Sequence, residues 1–559
     1  MKARKTIYSY TVKITDEPIE IKGVLYTQTA RVSLRDKNKN LLERKKFAVV
    51  DVQDIYQKIF LGESIDIEQC FITNFSMEDY REKYKLLEHE QVTILNFNAT
   101  NSFFEADDFV DFSAVQFEGE KTSFSNVHFG TGGLSFFKSN FNTRLVDFSN
   151  ASFADGNNTF KYANFNARKV TFENANFING NLNFVNATFA DGDVWFKNVS
   201  FGNGNVSFRF ATFGNGVVNF ERTNYNSNLV DFSKVDFGTG KLDFRRANFK
   251  NSEVLFEETT LKNSKFVLRR AKFGNQLISF KDSDFTGSNI ILNESGFGVG
   301  QISFYGVKAN LISLKSTILS SYVDCRVTNC HTIDLSNAII HNILDFKKGL
   351  TPVKIERLYI YNVRNLGKLF IKWDENDVPT IIGKQAKTTY KHKAEQYRIL
   401  KEDFHTMGQY EDEDKAYIEF KRNELKAKLS EAKSYPLGHR ISFYLEYFFQ
   451  TVVFDWMGKY ATSPLRVLGS IFTIYGVFSL LYVLLPMLQV GNISCLPENI
   501  PFIEKLMDAF YFSAVTFLTI GYGDCVPEGF FKILAPLEGW IGVFMMSYFT
   551  VAFVRKILR

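Results

Sequence analysis

No nucleophile, base and orienting group stand together at a recognisable spacing in these 559 residues, so the chain is not expected to be an enzyme. A glycine-rich nucleotide fingerprint is also missing. Neither charge sign dominates: 66 Lys and Arg against 61 Asp and Glu leave +5, which gives no electrostatic footprint for nucleic acid. The opening residues, Met-Lys-Ala-Arg-Lys-Thr-Ile-Tyr, lack the apolar core of a signal peptide, so everything before the first apolar run is expected to stay in the cytoplasm. Cysteine is scarce, with five residues. Cys70, Cys325 and Cys330 would then face a reducing compartment and read as free thiols. Cys325, Cys330 and His331 fit no familiar zinc spacing, and a fourth ligand is missing.

What the chain has in excess is phenylalanine, 59 residues, most of them between Phe97 and Phe304. From Phe112 an aromatic recurs at every twelfth position through Phe124, Phe136 and Phe148 to Phe256, and Leu268, Phe280, Leu292 and Phe304 continue the series. A second series trails the first by five, from Phe117 through Phe129 and Phe141 to Phe297. A small apolar residue or Thr stands two before most of these aromatics, with a polar residue between, so the local period is two. Period two in a long array of short units means strands stacked into a solenoid. Gly132, Gly156, Gly180, Gly192, Gly204, Gly216, Gly240 and Gly300 follow the second-series aromatic by three and read as corners with glycine-demanding backbone angles. Steps of five and seven alternate. They predict four faces, of five, seven, five and seven, and so a coil of about 24 residues, within the usual range of solenoid repeats. A coil of half that length is too thin for two buried phenylalanines. About eight coils at ~4.8 Å per strand would make a rod roughly 40 Å long.

The triplets Val-Asp-Phe (146–148), Ala-Ser-Phe (151–153) and Ala-Asn-Phe (175–177) resemble the pentapeptide-repeat family, over about residues 96–346. The resemblance implies a right-handed quadrilateral β-helix with the bulky residue and its small predecessor pointing inward. The spacing departs from that family, which steps five residues on every face. Some members mimic DNA, which requires a strongly acidic face. The charges from Glu105 to Phe304 nearly cancel, so a rigid scaffold that holds or senses a partner is the preferred reading.

Beyond Lys348 the pattern turns helical. Ala394, Tyr397, Leu400, Lys401 and Phe404 recur at three and four residues, Gly408 stops the first helix, and Ala416, Tyr417, Phe420 and Leu425 continue on a second. The hairpin resembles one tetratricopeptide-type unit, which would need the solenoid end or a neighbouring subunit to cover its face. Residues 441–457 are rich in Phe, Tyr and Val, carry only Glu446 and Asp455 as charges, and are closed by Trp456 and Lys459. That composition suits a helix in the membrane interface, with a buried soluble helix as the alternative.

Two uncharged or nearly uncharged runs follow, 467–490 and 533–554, each long enough to cross ~30 Å of hydrocarbon. Lys459 and Arg466 precede the first, and Arg555, Lys556 and Arg559 follow the second, while Glu498 and Glu504 lie between the two. The positive-inside rule therefore expects both termini in the cytoplasm. Residues 502–518 have helix-like apolar spacing but are too short to cross, so a re-entrant helix is expected there.

That helix leads into Thr516-Phe517-Leu518-Thr519-Ile520-Gly521-Tyr522-Gly523-Asp524, and this stretch resembles the signature of two-span potassium channels, a likeness that takes in both apolar runs. The resemblance implies a homotetramer in a cell inner membrane of a prokaryote, with the lipid bilayer as surroundings and potassium as the permeant ion rather than a cofactor. Potassium would be held by carbonyls of Thr519, Ile520, Gly521 and Tyr522, with Gly523 completing the filter. Gly521 and Gly523 can take backbone angles that let consecutive carbonyls face one axis. Filter support is assigned to Thr516, to Tyr511 and Phe512 as the bed for the Tyr522 ring, to Asp524, and to Glu538. Glu538 would stand in for the pore-helix glutamate of some channels, a position held here by Val515, or else would pair with Lys532. Gly542 is a hinge candidate, with close helix packing as the equal alternative, and Phe549 and Phe553 are gate candidates. No span carries arginines every three residues, which excludes a dedicated voltage sensor. Inward-rectifier channels have cysteines on either side of the pore loop, so Cys495 and Cys525 are expected to form a disulfide, with two unpaired thiols as the alternative.

The expected division is a mixed N-terminal region (1–95) that caps the solenoid, a β-solenoid (96–350), a linker with the helical hairpin (351–440), an interfacial amphipathic helix (441–463) and a pore domain (464–559). The function expected is tetrameric, potassium-selective conduction with a regulatory or scaffolding solenoid that takes an unidentified cytoplasmic ligand or protein. The alternative is a membrane-anchored scaffold with a vestigial or non-selective pore.

Overall fold

A computed structural model describes residues 7–153, 155–348, 353–432, 436–495 and 501–558. Most of the opening octapeptide, Glu498, Arg559 and the expected solenoid end at 350 lie outside the described residues. The chain forms two compact units, residues 1–386 and 387–559.

The first unit is the solenoid. Val110 pairs with Leu134, Leu182 with Val206, and Ile278 with Ile302, always in parallel. The offset in each case is the one that separates the hydrogen-bonded Asn174 and Asn198, 24 residues, and this is the length of one coil. The coil has four faces, since Phe112, Phe117, Phe124 and Phe129 stack on Phe136, Phe141, Phe148 and Phe153 of the next. Both aromatic series are buried except Phe297, which is partly exposed. Down the axis the rings lie face to face near the strand spacing, as in Phe148 on Phe172 at 4.7 Å and 4°. Within a coil they meet edge to face, as in Phe148 and Phe160 at 5.7 Å and 87°. Each buried phenylalanine contributes ~1.5–3 kcal/mol of hydrophobic burial, and each edge-to-face pair adds about 0.5–1.5 kcal/mol.

The stack is longer than the aromatic pattern suggests. One face is a 12-stranded sheet that ends at Lys368–Phe370, past the expected boundary at 350 and past eight coils. The last coils shorten and then lengthen: Ile302 pairs with Val323, Val323 with Leu344, and Leu344 with Leu369. Side-chain ladders follow the same change of step, Asn310 reaching back 21 residues to Asn289 and Asn362 reaching back 25 residues to Asn337. With the step altered and Val, Leu and Ile in place of most of the phenylalanines, these coils escape a search for the twelvefold aromatic period.

The corner glycines have a different cause from the one expected. Of those eight, only Gly156 and Gly180 have positive φ. The left-handed corners fall instead two residues after the first-series residues: at Asn126, Asn150, Asn174, Asn186 and Asn198, where asparagine tolerates the conformation, and also at Lys138, Tyr162, Phe210, Arg222 and Lys234, where the stacked coil imposes it. Asn150, Asn174 and Asn198 form a ladder in which Asn198 Nδ2 donates to Asn174 Oδ1 at 3.1 Å. The glycines are required by close approach between coils: a Cβ on Gly204 would lie 1.8 Å from the Gly180 carbonyl oxygen.

At the N-terminal end Ser9–Thr15, Thr29–Arg35 and Leu41–Val50 pair antiparallel. Leu41–Val50 then joins Cys70–Thr73 in parallel, and that strand joins Phe103–Glu105 of the first coils. Two short helices, α1 (Val52–Phe60) and α2 (Met77–Tyr84), are capped by Asp51 and Ser76. A third, α3 (Val378–Gly383), follows the last coil. Burial pushes the Cys70 and Cys330 thiols up to about 12, which keeps both protonated and inert. His331 is paired with Glu356 at 2.7 Å.

The second unit is helical. Helices α4 (Tyr390–Thr406) and α5 (Tyr410–Ala432) form the hairpin, with Ala394, Tyr397, Leu400, Phe404 and Ala416 buried and Gly408 left-handed at the turn. Helix α6 (Leu437–Phe449) runs directly into a π-helix, Gln450–Trp456. Helices α7 (Pro464–Met487) and α9 (Phe531–Ile557) are long and apolar enough to cross a membrane, and α8 (Phe502–Phe517) lies between them in sequence.

Candidate functional site

Helix α8 has 16 residues, roughly 24 Å at ~1.5 Å per residue, short of the ~30 Å hydrocarbon layer. It is wedged between α7 and α9 by an aromatic cluster in which the Tyr482 ring meets both Phe512 and Phe531 at 5.0 Å. The wedge also has a polar bolt. The fully buried Glu538 carboxylate of α9 accepts from the Ser513 hydroxyl of α8 and from the Tyr482 hydroxyl of α7, the latter at 2.8 Å. Glu538 therefore joins three helices instead of pairing with Lys532, and both of these bonds go to helices rather than to the Thr519–Gly523 segment. The Tyr475 hydroxyl adds a donor to the Phe510 carbonyl at 2.9 Å.

At its C-terminal end α8 closes on α9. A Cβ on Gly542 would lie 2.0 Å from the Phe517 carbonyl oxygen, and α9 runs as unbroken helix through that position. The geometry at Gly542 is that of a packing contact. Beyond Phe517 the backbone turns sharply: Thr519 N–H donates to the Thr516 carbonyl at 3.0 Å and Ile520 N–H to the Val515 carbonyl at 2.9 Å. Thr519, Gly521 and Gly523 have φ of +54°, +63° and +80°, and nothing lies within 4 Å of a Cβ built on either glycine. The Thr519 hydroxyl donates to the Leu518 carbonyl at 2.7 Å.

Residues from Thr519 to Asp524 are exposed within one chain, and Tyr522 is 70% exposed. The expected bed for its ring is otherwise engaged. Phe512 faces the Tyr482 cluster, and the Tyr511 hydroxyl donates to Asp524 at 2.7 Å. Asp524 is thus positioned by α8. After it, Cys525 is bonded to Cys495, 30 positions earlier in sequence, with Cα atoms 5.2 Å apart. Gly491–Ile493 and Pro527–Gly529 pair antiparallel beside that bond.

At the other end of α9, Phe549 and Phe553 stack on each other at 5.8 Å. The same end is gripped by α5, a contact that sequence reasoning missed. Arg555 pairs with Asp414 at 3.1 Å and lies over the Tyr417 ring at 4.4 Å, and Lys556 reaches Asp414 at 3.6 Å. Helix α5 also holds the segment before α7, because Arg422 grips Asp455 with two bonds and Lys428 pairs with Glu446. The two charges of the amphipathic stretch therefore face α5, while Ile441, Tyr444, Leu445, Phe448 and Trp456 are exposed. The stretch ends in an elbow. Lys459, Tyr460 and Ala461 are all left-handed, at a cost of roughly 1–2 kcal/mol each. The Tyr548 hydroxyl of α9 offsets that strain by donating to the Phe454 carbonyl at 3.0 Å and accepting from Ala461 N–H at 2.9 Å. A tyrosine and two lysine or arginine residues near the end of an apolar run carry no sequence signal for such an arrangement, because their partners lie 87 to 142 residues away.

No curated protein and no solved structure matches this chain. Residues 470–559 match the family model described as "Ion channel". From residue 470 onward the chain is therefore an ion-channel domain with two membrane-capable helices, and it follows a pentapeptide-like β-solenoid.

Proposed function

We propose that four copies of the chain assemble a potassium-selective pore, with Thr519–Gly523 as the selectivity filter. The reading rests on one observation: a Thr-Ile-Gly-Tyr-Gly segment with left-handed glycines leaves the C-terminal end of a helix too short to span, between two helices that can. Backbone carbonyls presented at successive levels replace the hydration shell of the ion, and one chain supplies a quarter of each ring. The partially negative end of α8 faces the space below, where it favours a cation. Both termini lie in the cytoplasm under this reading, and the Cys495–Cys525 loop lies outside, where a disulfide persists. Tyr522, exposed in the single chain, is covered by the neighbouring copy. Phe549 and Phe553 narrow the inner mouth, and the solenoid serves as the regulatory or scaffolding part that engages a cytoplasmic partner.

The test is electrical. The full chain, purified and reconstituted in planar bilayers, is placed in a potassium gradient against sodium. A reversal potential near the potassium equilibrium value is expected. A potential near zero with measurable current removes selectivity from the reading, and the absence of current from well-folded tetramers leaves the anchored scaffold.

A further inference from the structure

One corner of the solenoid carries a row of cations seated on aromatic rings. It is formed by the two residues that follow each strand of the 12-stranded sheet and its inward phenylalanine, from Phe137 and Lys138 through Lys161 and Tyr162, then Arg209 and Phe210, to Ser233 and Lys234. No Asp or Glu stands at this corner before Glu257. Lys138, Tyr162, Phe210 and Lys234 have left-handed φ of +56° to +58°, which bulky side chains disfavour. Asn186 at the same corner, and Asn150, Asn174 and Asn198 at another, meet the same turn with a residue that tolerates it. The fold therefore does not call for Tyr or Phe there, and neither does the core, because Tyr162 and Phe210 are 46% and 45% exposed. What the rings do is hold charge. Lys138 lies over Phe137 at 5.1 Å, Lys161 over Tyr162 at 5.2 Å, and Arg209 and Lys234 over Phe210 at 5.4 and 5.6 Å, each drawn to the negative face of its ring. Lys138 and Lys161 have no ion-pair partner among the described residues. Arg209 and Lys234 each reach one carboxylate at 3.5 Å, Asp231 and Glu258, beyond the ~2.7–2.9 Å of a charge-assisted hydrogen bond. A second basic corner, from Glu221 to Glu294, is built differently. It has no aromatic residue, and Arg245, Arg269 and Arg270 are answered there by Asp243 and Glu294.

We infer that the aromatic corner docks an acidic, extended segment of a partner protein, with carboxylates on Lys138, Lys161, Arg209 and Lys234 and apolar side chains against the exposed edges of Tyr162 and Phe210. Lys138 and Lys234 are separated by roughly 19 Å along the rod at ~4.8 Å per coil, a distance that an extended chain of about six residues covers. Cations already held on rings lose less freedom when a partner arrives, and the donors turned away from each ring remain open to a carboxylate. The same arrangement selects against single-stranded nucleic acid, because the ring faces on which bases would stack already carry the lysines and the arginine. The near-neutral total charge of the solenoid conceals this row, since acidic residues elsewhere cancel it. The inference rests on the proposed role of the solenoid as the part that engages a cytoplasmic partner, names the chemistry of that partner, and does not depend on which ion the pore passes.

The full-length protein in detergent is titrated, at about 150 mM salt, into a fluorescein-labelled peptide of alternating Glu and Val, and binding is read as fluorescence anisotropy. Saturable binding is expected, with none to the peptide that carries Gln for every Glu. Lys138→Gln combined with Lys161→Gln should raise Kd roughly fivefold. Tyr162→Asn combined with Phe210→Asn places a residue that tolerates the left-handed turn at both positions, so the melting temperature should hold or rise while Kd rises roughly threefold or more. Arg222→Gln combined with Arg246→Gln removes the same charge from the other basic corner and should change Kd by less than about twofold. Equal losses from the two corners would reduce the binding to general electrostatics and overturn the inference. So would failure of the acidic peptide to bind, an unchanged Kd in the asparagine variant, or an oligothymidylate that binds more tightly than the peptide. None of these outcomes bears on the electrical test of the pore, and a pore without selectivity leaves this measurement as it stands.

Discussion

The solenoid and the channel domain treat their apolar side chains in opposite ways. In the solenoid nearly every phenylalanine of the two series is buried against its own chain. In the channel domain Leu465 is 82% exposed, Tyr522 70%, Trp540 68% and Ile533 67%. The difference follows from the solvent each part meets. A coil in water has to hide its apolar groups within the repeat, and stacking on the next coil supplies the partner. A helix in lipid has no such requirement, and the faces that line a pore or meet a neighbouring copy are completed only by assembly. One region is finished as a monomer. The other, under the proposed assembly, is a quarter of a structure.

That contrast can be broken at the filter first. Gly521→Ala and Gly523→Ala place a side chain at positive φ, costing ~1–2 kcal/mol per copy, and potassium over sodium selectivity should fall about tenfold or more. Bi-ionic reversal potentials measure this, while hydrogen exchange across the solenoid should not change. Unchanged selectivity in both variants removes the segment from conduction.

The reciprocal experiment lies in the solenoid. Phe172→Ala deletes a ring stacked on both Phe148 and Phe196 and should destabilise the first unit by about 3–5 kcal/mol, read by denaturant unfolding. Reversal potentials should stay where they were. A shift would mean that the two regions are not separable in function.

Replacing Cys495 and Cys525 by Ser opens a loop of 30 residues and should cost the channel domain ~3–4 kcal/mol, seen as a lower melting temperature under non-reducing conditions only. Next come two glycines with the same steric problem in different surroundings. Gly204→Ala and Gly542→Ala each force a Cβ onto a carbonyl oxygen, at 1.8 and 2.0 Å, and each should cost about 1–3 kcal/mol. If Gly542→Ala alters open probability in single-channel records and leaves the melting temperature alone, a bend in α9 is its role after all. The smallest effect is expected from Asp414→Asn, which weakens the grip on Arg555 and Lys556 by about 1 kcal/mol and should shift open probability without changing selectivity.

Much of this protein was legible in the order of its residues, because the relevant physics is local. Alternating steps of five and seven dictate four faces, since a ring at every such step must point inward. Two long apolar runs around a short one dictate two membrane-capable helices and a helix that cannot cross. The Gly-Tyr-Gly segment marks where the backbone leaves ordinary angles. Only the fold decided the rest. Gly204 is glycine because of a carbonyl one coil away, and Gly542 because of the end of α8. Glu538 became the bolt of three helices because Tyr482, 56 residues earlier, and Ser513, 25 residues earlier, converge on it in a fully buried site. The last coils continued with mostly aliphatic cores because the ladder of backbone hydrogen bonds needs only a strand of any apolar composition to extend it. The grip of α5 on Arg555 and the strained turn at Lys459–Ala461 depend on contacts far apart in sequence. No period or composition records such contacts, because each is set by which surfaces the folded chain brings within a few ångströms of one another.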